Sequence, residues 1–145
     1  MRSIGAINEE KIAHDNDWES VRHSTDEAIR NWISRQLDGR SIVIVLVGAR
    51  TASRRWVQYE IVEGWNKGKA VLGVRVHRLL DRAGYYGARG VSPFTDITID
   101  GRFSLDLIAP MLDPGEVDSG MAYATIARNM PAYIDAAFTA RAGYR

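Results

Sequence analysis

The stretch SIVIVLVGARTASRRWVQYEI, residues Ser41–Ile61, contains the strongest structural pattern in the chain. Its first part, Ser41–Val47, is an uninterrupted apolar run that is rich in Val and Ile. The run is too short to cross a membrane and lacks the polar alternation of a half-exposed strand. Gly48 ends it, and a helical spacing of apolar residues begins after Ser53. The stretch therefore predicts a strand buried on both faces, a short loop and a helix, an arrangement typical of a parallel sheet.

The loop within this stretch is the expected place for a functional site. In parallel α/β sheets, ligands bind outside the carboxyl ends of the strands. That position corresponds here to the loop Gly48–Ala52 and to the start of the helix that follows it. We therefore expect residues of this loop and helix to contact a ligand.

Length and composition indicate one compact domain of a soluble protein. The chain has 145 residues, of which 46% are hydrophobic and 26% are charged. A net charge of +1 gives no reason to expect a nucleic-acid partner, because binding to a phosphate backbone needs a clustered positive field. The sequence contains no cysteine and no segment with the apolar length of a signal peptide or membrane span. We expect a cytoplasmic protein without disulfides and without membrane contact.

The residues before the central stretch predict an arm and a helix. Met1–Asp15 keeps neither strand nor helix periodicity for long and is interpreted as an N-terminal arm. Asn16 and Glu19 have the spacing of a capping box, and apolar residues then recur at helical intervals. This pattern predicts a helix over Asp17–Leu37, which Asp38–Gly39 ends with a left-handed glycine.

The residues after the central stretch continue an alternation of helices and strands. Ser53 is a candidate N-cap of a helix that ends near Gly68, and the apolar run Lys69–His77 predicts a second strand parallel to the first. The remaining predicted elements are a long loop at Leu80–Thr95, short strands at Asp96–Asp100 and Phe103–Ile108, a turn-rich segment at Pro110–Gly120, and helices at Met121–Met130 and Pro131–Ala142.

Glu60 is the candidate functional residue that the helical pattern singles out. It follows Val57 by three positions and Trp56 by four, at the edge of the face that is expected to pack inward. Partial burial strengthens the interaction of a carboxylate with a developing positive charge, and such residues cluster at active sites. The alternative is a surface glutamate that packs against Trp56 and pairs with Arg54 or Arg55.

Three arginines surround the predicted start of the second helix. Arg50, Arg54 and Arg55 lie where free backbone N–H groups and the helix dipole already favour an anion, and a diphosphate would suit such a site. The alternative is a solvated surface loop, since the sequence has no GxGxxG or Walker pattern that would narrow the ligand.

His77 ends the second predicted strand at the same edge of the sheet as the arginine-rich loop. A single histidine is most often structural or exposed, and His14 and His23 do not complete a metal-binding pattern with it. We therefore expect no metal. Ser53 is a more plausible helix cap than a nucleophile, because the chain has no nucleophile-elbow motif.

At these residues the sequence resembles the bacterial TIR-like domains, specifically the Thoeris anti-phage branch typified by ThsB. The resemblance runs from Asp17 to Thr95, and the spacing of Ser53, Trp56 and Glu60 is similar to the wider TIR signature. The blocks that carry the resemblance are Asp17–Glu19, Asp26–Ile33, Ser41–Gly48, Thr51–Ile61, Lys67–Lys69, Leu72–Val74, His77, Gly87–Gly90 and Pro93–Phe94.

The resemblance implies a flavodoxin-like, three-layer α/β sandwich with a mainly parallel sheet. It also implies cleavage of the nicotinamide–ribose bond of NAD+, so that NAD+ is the substrate and no cofactor is expected. In the Thoeris branch the product is a cyclic or conjugated ADP-ribose signal used in anti-phage defence. The resemblance also implies a homo-oligomer and, as a partner, an effector protein that receives the signal.

The same resemblance implies roles for individual residues. Glu60 becomes the catalytic carboxylate, because cleavage of an N-glycosidic bond gives the ribose a cationic character that a fixed carboxylate stabilises. Ser53 and Arg54 are then expected to orient ribose or phosphate, and His77 with the loop Tyr85–Arg89 to border the nicotinamide or the acceptor. The complete set of expected substrate-binding residues is Ser53, Arg54, Trp56, Arg50, His77 and Arg89.

The sequence departs from the family pattern at both ends. Family members begin with an apolar strand and a helix before the region equivalent to Asp17, and no such strand is visible in Met1–Asp15. We therefore expect an N-terminally truncated sandwich, with residues 1–15 as an arm and 16–145 as one domain whose part after Thr95 diverges. A misplaced or trimmed start, a rearranged sheet and completion by another subunit are competing explanations.

Two other functions stay open at this point. A non-catalytic TIR-like module that binds a nucleotide or assembles with itself would fit the missing strand. A nucleoside deoxyribosyltransferase-like enzyme would share the ribosyl chemistry and would exchange bases on nucleosides.

Overall fold

The structure is a computed structural model that describes residues 15–144, and a small parallel sheet forms its centre. Strand β1 (Ile42–Val47) pairs in parallel with β2 (Ala70–Arg75) through all six residues. Two short strands, β3 (Thr98–Ile99) and β4 (Phe103–Ser104), form a separate antiparallel pair. Strand β5 (Met111–Leu112) pairs in parallel with β2 and completes the order β1-β2-β5. The predicted pair of buried parallel strands is therefore confirmed.

The first predicted helix is two helices. Helix α1 spans Asp15–Val21, and α2 spans Asp26–Leu37. Thr25 separates them because its hydroxyl oxygen accepts a hydrogen bond from the backbone N–H of Ala28 at 3.1 Å and so starts a new helix. The prediction of one continuous helix was wrong at this point, whereas its predicted end is confirmed, since Gly39 has a φ of 76° just after α2.

Two predicted N-caps are also wrong. Asn16 lies inside α1 and not before it. Ser53 belongs to a short 3-10 turn, Thr51–Ser53, that precedes helix α3 (Arg55–Asn66). Arg54 occupies the N-cap position of α3 without a capping hydrogen bond from its side chain. The chain therefore forms a 3-10 turn before α3 that the sequence pattern does not predict.

The C-terminal part contains one helix where the sequence predicts two. Helix α4 spans Ser119–Ala142 and includes Pro131. A proline inside a helix cannot donate a hydrogen bond to the carbonyl four residues earlier, which here belongs to Ala127. Both Ala127 and Pro131 are exposed, so water can bond the released carbonyl and the helix continues. The prediction of a new helix at Pro131 was therefore wrong.

Helices cover both faces of the sheet. Val43, Val45 and Val47 of β1 are fully buried in a core that α2 and α3 complete. Ile42 and Ile44 are buried in a second core on the opposite face, to which α4 contributes. The alternation of one strand between two apolar cores explains why its sequence is uniformly apolar. The three-layer α/β architecture is confirmed.

The segment between β2 and α4 has little regular structure. The long loop after β2 is confirmed, and the short strands predicted near Asp96–Asp100 and Phe103–Ile108 exist only as the two-residue strands β3 and β4. The segment Pro110–Gly120, predicted to be turn-rich, also contains β5 at its start and the first residues of α4 at its end.

Two predictions concern the start of the chain. The predicted absence of an opening strand and the predicted arm over Met1–Asp15 rest on residues 1–14, which lie outside the described residues, while Asp15 is the first residue of α1. Within residues 15–144, no helix combines the length and apolarity needed to cross a bilayer.

Candidate functional site

A cavity of about 400 Å³ opens at the carboxyl ends of β1 and β2. Its size is that of a small-molecule site. It contains the apolar side chains of Leu46 and Val76 at the strand ends and the loops that follow the two strands. The lining residues are Leu46, Gly48, Ala49, Arg50, Thr51, Arg54, Val76, His77, Leu79, Leu80, Asp81, Tyr85, Gly87 and Ala88. The cavity thus lies outside the carboxyl ends of two parallel strands, where the sequence analysis expects a ligand.

The loop after β1 is closed by a threonine. The Thr51 hydroxyl accepts a hydrogen bond from the Gly48 N–H at 2.8 Å and lies 3.3 Å from the Leu46 carbonyl, to which it donates. Thr51 is only 6% exposed. These contacts bend the chain sharply at the end of the strand, so that the next residues face the cavity.

Arg50 and Arg54 bring positive charge to one wall of the cavity. Both are exposed, and Arg54 stands at the start of α3, where the first backbone N–H groups of a helix favour an anion. Two of the predicted substrate-binding residues therefore lie together at the predicted position.

Ser53 and Trp56 are not among the residues that line this cavity. The Ser53 hydroxyl donates a hydrogen bond to the Arg50 carbonyl at 2.9 Å and supports the 3-10 turn. Trp56 is half-buried against the core of α2 and α3, with the Arg55 guanidinium 4.3 Å above its ring. Their predicted contact with substrate stays a prediction.

Glu60 lies in the interior of the protein. It is 2% exposed, in the part of α3 that packs onto β1, and it is not among the residues that line the cavity. Leu46 and Val76, in contrast, pack against the core on the α4 side of the sheet. The predicted inward-facing position of Glu60 is thus deeper than a partly desolvated edge, and the surface alternative does not hold.

A buried arginine lies close to Glu60. Arg40 is 5% exposed and precedes β1. Burial lowers the pKa of the Arg40 guanidinium, and the negative charge of Glu60 partly opposes this. The two buried groups therefore attract each other electrostatically in the interior of the protein.

His77 lines the cavity and is held by a residue far along the chain. Its ring is buried, and Nε2 lies 2.9 Å from the Glu116 carboxylate. Arg78 approaches the same carboxylate at 3.6 Å and donates a hydrogen bond to the Val117 carbonyl at 2.8 Å. The segment before α4 thus fixes His77. Across residues 15–144, no three side chains of His, Asp or Glu are placed to hold a metal ion together.

Arg89 lies outside the cavity lining, although its neighbours Gly87 and Ala88 belong to it. The Arg89 guanidinium pairs with the Asp113 carboxylate. Its backbone carbonyl accepts a hydrogen bond from Arg75 at 3.1 Å. In this structure Arg89 therefore holds the loop, and its predicted contact with substrate stays a prediction.

Arg75, the last residue of β2, was missed by the sequence analysis. It is 7% exposed, and its Nη1 donates hydrogen bonds to the carbonyls of Arg89 and Gly90 at 3.1 and 3.0 Å. Burial lowers its pKa and the nearby Arg89 adds to this, while Asp113 opposes both. Its position as a charged residue at the end of an apolar strand was the signal in the sequence that could have identified Arg75.

Asp113 completes this group of charges. Burial acts to raise the pKa of its carboxyl group, but a hydrogen bond from the Gly115 N–H and the positive charges of Arg89 and Arg75 outweigh burial. The pKa of Asp113 is consequently below its ordinary value, and the carboxylate form is favoured.

Asp81 and the leucines at 79 and 80 also line the cavity without having been predicted as site residues, whereas Tyr85 belongs to the loop Tyr85–Arg89 that was expected to border the ligand. Asp81 and the two leucines lie at the start of the segment that follows β2. An aspartate three residues before Gly84 is typical of a turn. That signal indicates local structure and does not show that the loop folds back over the strand ends.

The comparisons with known proteins agree with this architecture. The family model of the Thoeris protein ThsB TIR-like domain matches residues 1–81. A curated relative from Bacillus cereus, named "Putative cyclic ADP-D-ribose synthase ThsB1", is 34% identical over 77 residues. The alignment covers 53% of this chain and 40% of the relative, so the chain spans about two fifths of that protein's length. Because the family model covers more than half of the sequence, the chain belongs to the family of Thoeris ThsB TIR-like domains.

Proposed function

We propose that this chain binds NAD+ or a related ADP-ribosyl nucleotide and cleaves the nicotinamide–ribose bond. The convergence of Arg50, Arg54 and His77 on one cavity at the carboxyl end of a parallel sheet carries the proposal. Guanidinium groups suit a diphosphate, and the apolar side chains of Leu46 and Val76 suit a heteroaromatic ring. The name of the Bacillus cereus relative supports the same chemistry.

In this proposal Glu60 supplies the carboxylate that stabilises the ribosyl cation. Glu60 is buried and lies on the α3 side of the sheet, whereas Leu46 and Val76 of the cavity pack toward α4. Catalysis therefore requires a rearrangement, on substrate binding or on self-association, that brings the ribose and Glu60 together. The product is a cyclic or conjugated ADP-ribose that signals to an effector protein in the cytoplasm.

The test measures the release of nicotinamide from NAD+ by chromatography over a range of protein concentrations. Glu63 offers a matched control, because it lies on the same helix and accepts a hydrogen bond from the Tyr59 hydroxyl at 2.7 Å, which a glutamine also accepts. We expect Glu60→Gln to reduce turnover about 100-fold and Glu63→Gln to retain most of it. Equal turnover by the wild type and Glu60→Gln would remove Glu60 from the mechanism.

A second function, nucleotide binding or self-assembly without catalysis, is favoured by the burial of Glu60 beside Arg40. A buried carboxylate that attracts a buried cation can have a structural role. In this case the wild type binds ADP-ribose but releases no nicotinamide at any concentration. Glu60→Gln then lowers the melting temperature and leaves ADP-ribose affinity unchanged in the folded protein.

A further inference from the structure

Asp81 supplies a carboxylate at the wall of the cavity. It follows β2 by six residues and lines the cavity together with His77, Leu79 and Tyr85. Among the cavity-lining residues it is the acidic one, and Glu60 is not part of that set. A negative group in the same cavity as Arg50 and Arg54 needs an explanation, because it lowers the affinity for a simple anion.

The geometry of its turn leaves one oxygen of Asp81 for a ligand. Oδ1 accepts hydrogen bonds from the backbone N–H groups of Ala83 and Tyr85, both at 2.9 Å. The Asp81 N–H donates to the Tyr85 carbonyl at 3.0 Å, which closes the turn. Because both side-chain bonds end on Oδ1, Oδ2 keeps its capacity to accept hydrogen bonds.

The loop that carries Asp81 is fixed at several points. The Arg78 guanidinium lies 3.8 Å from the centre of the Tyr86 ring, and the Tyr86 hydroxyl accepts a hydrogen bond from the Ser119 N–H at 3.1 Å. The Gly87 N–H donates to the His77 carbonyl at 3.1 Å. A ligand group that meets Asp81 therefore meets a carboxylate whose position is set before binding.

We propose that Oδ2 of Asp81 accepts hydrogen bonds from the vicinal hydroxyls of a ribose, so that the cavity selects ribosyl nucleotides. This assignment rests on the nucleotide site described under Proposed function. A carboxylate repels phosphate and accepts hydrogen bonds from a diol, whereas Arg50 and Arg54 attract phosphate. The cavity thus has a phosphate end at Arg50 and Arg54 and a sugar end at Asp81, which orients the nucleotide.

The test compares two probes, ADP-ribose and inorganic pyrophosphate, by calorimetric titration of the full chain. Asp81→Asn is the informative variant, because the amide oxygen still accepts the two backbone hydrogen bonds and preserves the turn. Asp135→Asn, at an exposed position of α4, is the matched control for loss of one negative charge. We expect Asp81→Asn to weaken ADP-ribose binding about tenfold, to leave pyrophosphate binding unchanged or tighter, and to keep the wild-type melting temperature. Asp135→Asn should resemble the wild type.

Each outcome decides between the assignments. Undiminished binding of ADP-ribose by Asp81→Asn overturns the role of Asp81 and leaves the proposed nucleotide site intact. An equal loss for both probes also overturns it, since a distorted loop would weaken both. If the wild type binds neither probe, the proposed function fails, and the assignment of Asp81 fails with it.

Discussion

Two loops meet at the carboxyl edge of the sheet, and they are held in different ways. The first loop, residues 48–54, is closed by Thr51, whose partners lie within five residues. The second loop, residues 79–90, has local hydrogen bonds around Asp81 and is also held by residues far along the chain. Arg75 bonds its last carbonyls, Asp113 pairs with Arg89, and Ser119 donates to the Tyr86 hydroxyl.

Because of this difference, the sequence can predict one part of the cavity better than the other, and mutation should disturb the second part most. Bonds within a short loop depend on a local pattern and cost little chain entropy to form. Bonds between distant residues require that the sheet and α4 are already in place. The second loop should therefore lose more stability than the first when its buried anchor, Arg75, is removed.

Arg75→Met should have the largest effect. It leaves the Arg89 and Gly90 carbonyls and the Asp113 carboxylate without the buried guanidinium, and we expect unfolding free energy to fall by about 3 kcal/mol. Arg89→Met is the control, because the Arg89 side chain is half exposed, and it should cost less than about 1 kcal/mol. Urea denaturation measures both. Similar losses for the two variants would show that burial of Arg75 is not what anchors the second loop.

Gly90→Ala should have the next largest effect on stability, because Gly90 of the second loop lies against Gly48 of the first. It has a φ of 70°, and an added Cβ would lie 2.3 Å from the Gly48 carbonyl oxygen. We expect a loss of about 2 kcal/mol from strain and from separation of the loops.

Gly87→Ala is the control for Gly90→Ala, since the nearest atom to its added Cβ is 3.9 Å away. Thermal unfolding followed by circular dichroism compares the two. A Gly90→Ala variant as stable as Gly87→Ala would mean that the two loops move independently.

Thr51→Val should have a smaller effect, confined to the first loop. It removes both hydrogen bonds of the hydroxyl and leaves the Gly48 N–H without its partner, which costs about 1 kcal/mol. Ser53→Ala removes an exposed hydrogen bond that likewise spans three residues, and it should lower the unfolding free energy by less than about 0.5 kcal/mol. A Thr51→Val loss that exceeds that of Arg75→Met would reverse the comparison between the loops.

The same contrast explains what the sequence predicted. The strand at Ser41–Val47, the parallel partner strand and the positions of Arg50, Arg54 and His77 follow from periodicity and from strand direction, which are local or nearly so. Thr51 and Ser53 show the limit even there, because a 3-10 turn replaced the predicted serine cap.

The residues missed by the sequence analysis share a non-local cause. Asp81 enters the cavity because the second loop folds back over the strand ends, and Arg75 is buried because residues 89, 90 and 113 cover it. Glu60 was recognised as inward-facing, but its depth and its electrostatic attraction to Arg40 depend on how α3 packs against β1. None of these relations is encoded in a spacing along one element.

Asp113→Asn should have the smallest effect on stability. The size of that effect should depend on pH, whereas the effect of Thr51→Val should not. The pKa of Asp113 lies below its ordinary value, because the Gly115 N–H and the charges of Arg89 and Arg75 outweigh burial. A carboxyl group whose pKa is lower in the folded state contributes stability that is present above its unfolded pKa, about 4, and is lost as the pH falls through the folded value. We expect Asp113→Asn to cost less than about 1 kcal/mol at pH 7 and progressively less below pH 4.

Urea denaturation of the wild type, Asp113→Asn and Thr51→Val at pH 7 and pH 3 measures this difference. Thr51 makes its contacts with backbone groups that do not titrate, so the cost of Thr51→Val should be the same at both pH values. An Asp113→Asn cost that stays constant from pH 7 to pH 3 would mean that its carboxylate charge does not hold the second loop. A cost that disappears in acid while that of Thr51→Val persists would show that charge anchors the second loop and backbone hydrogen bonds anchor the first.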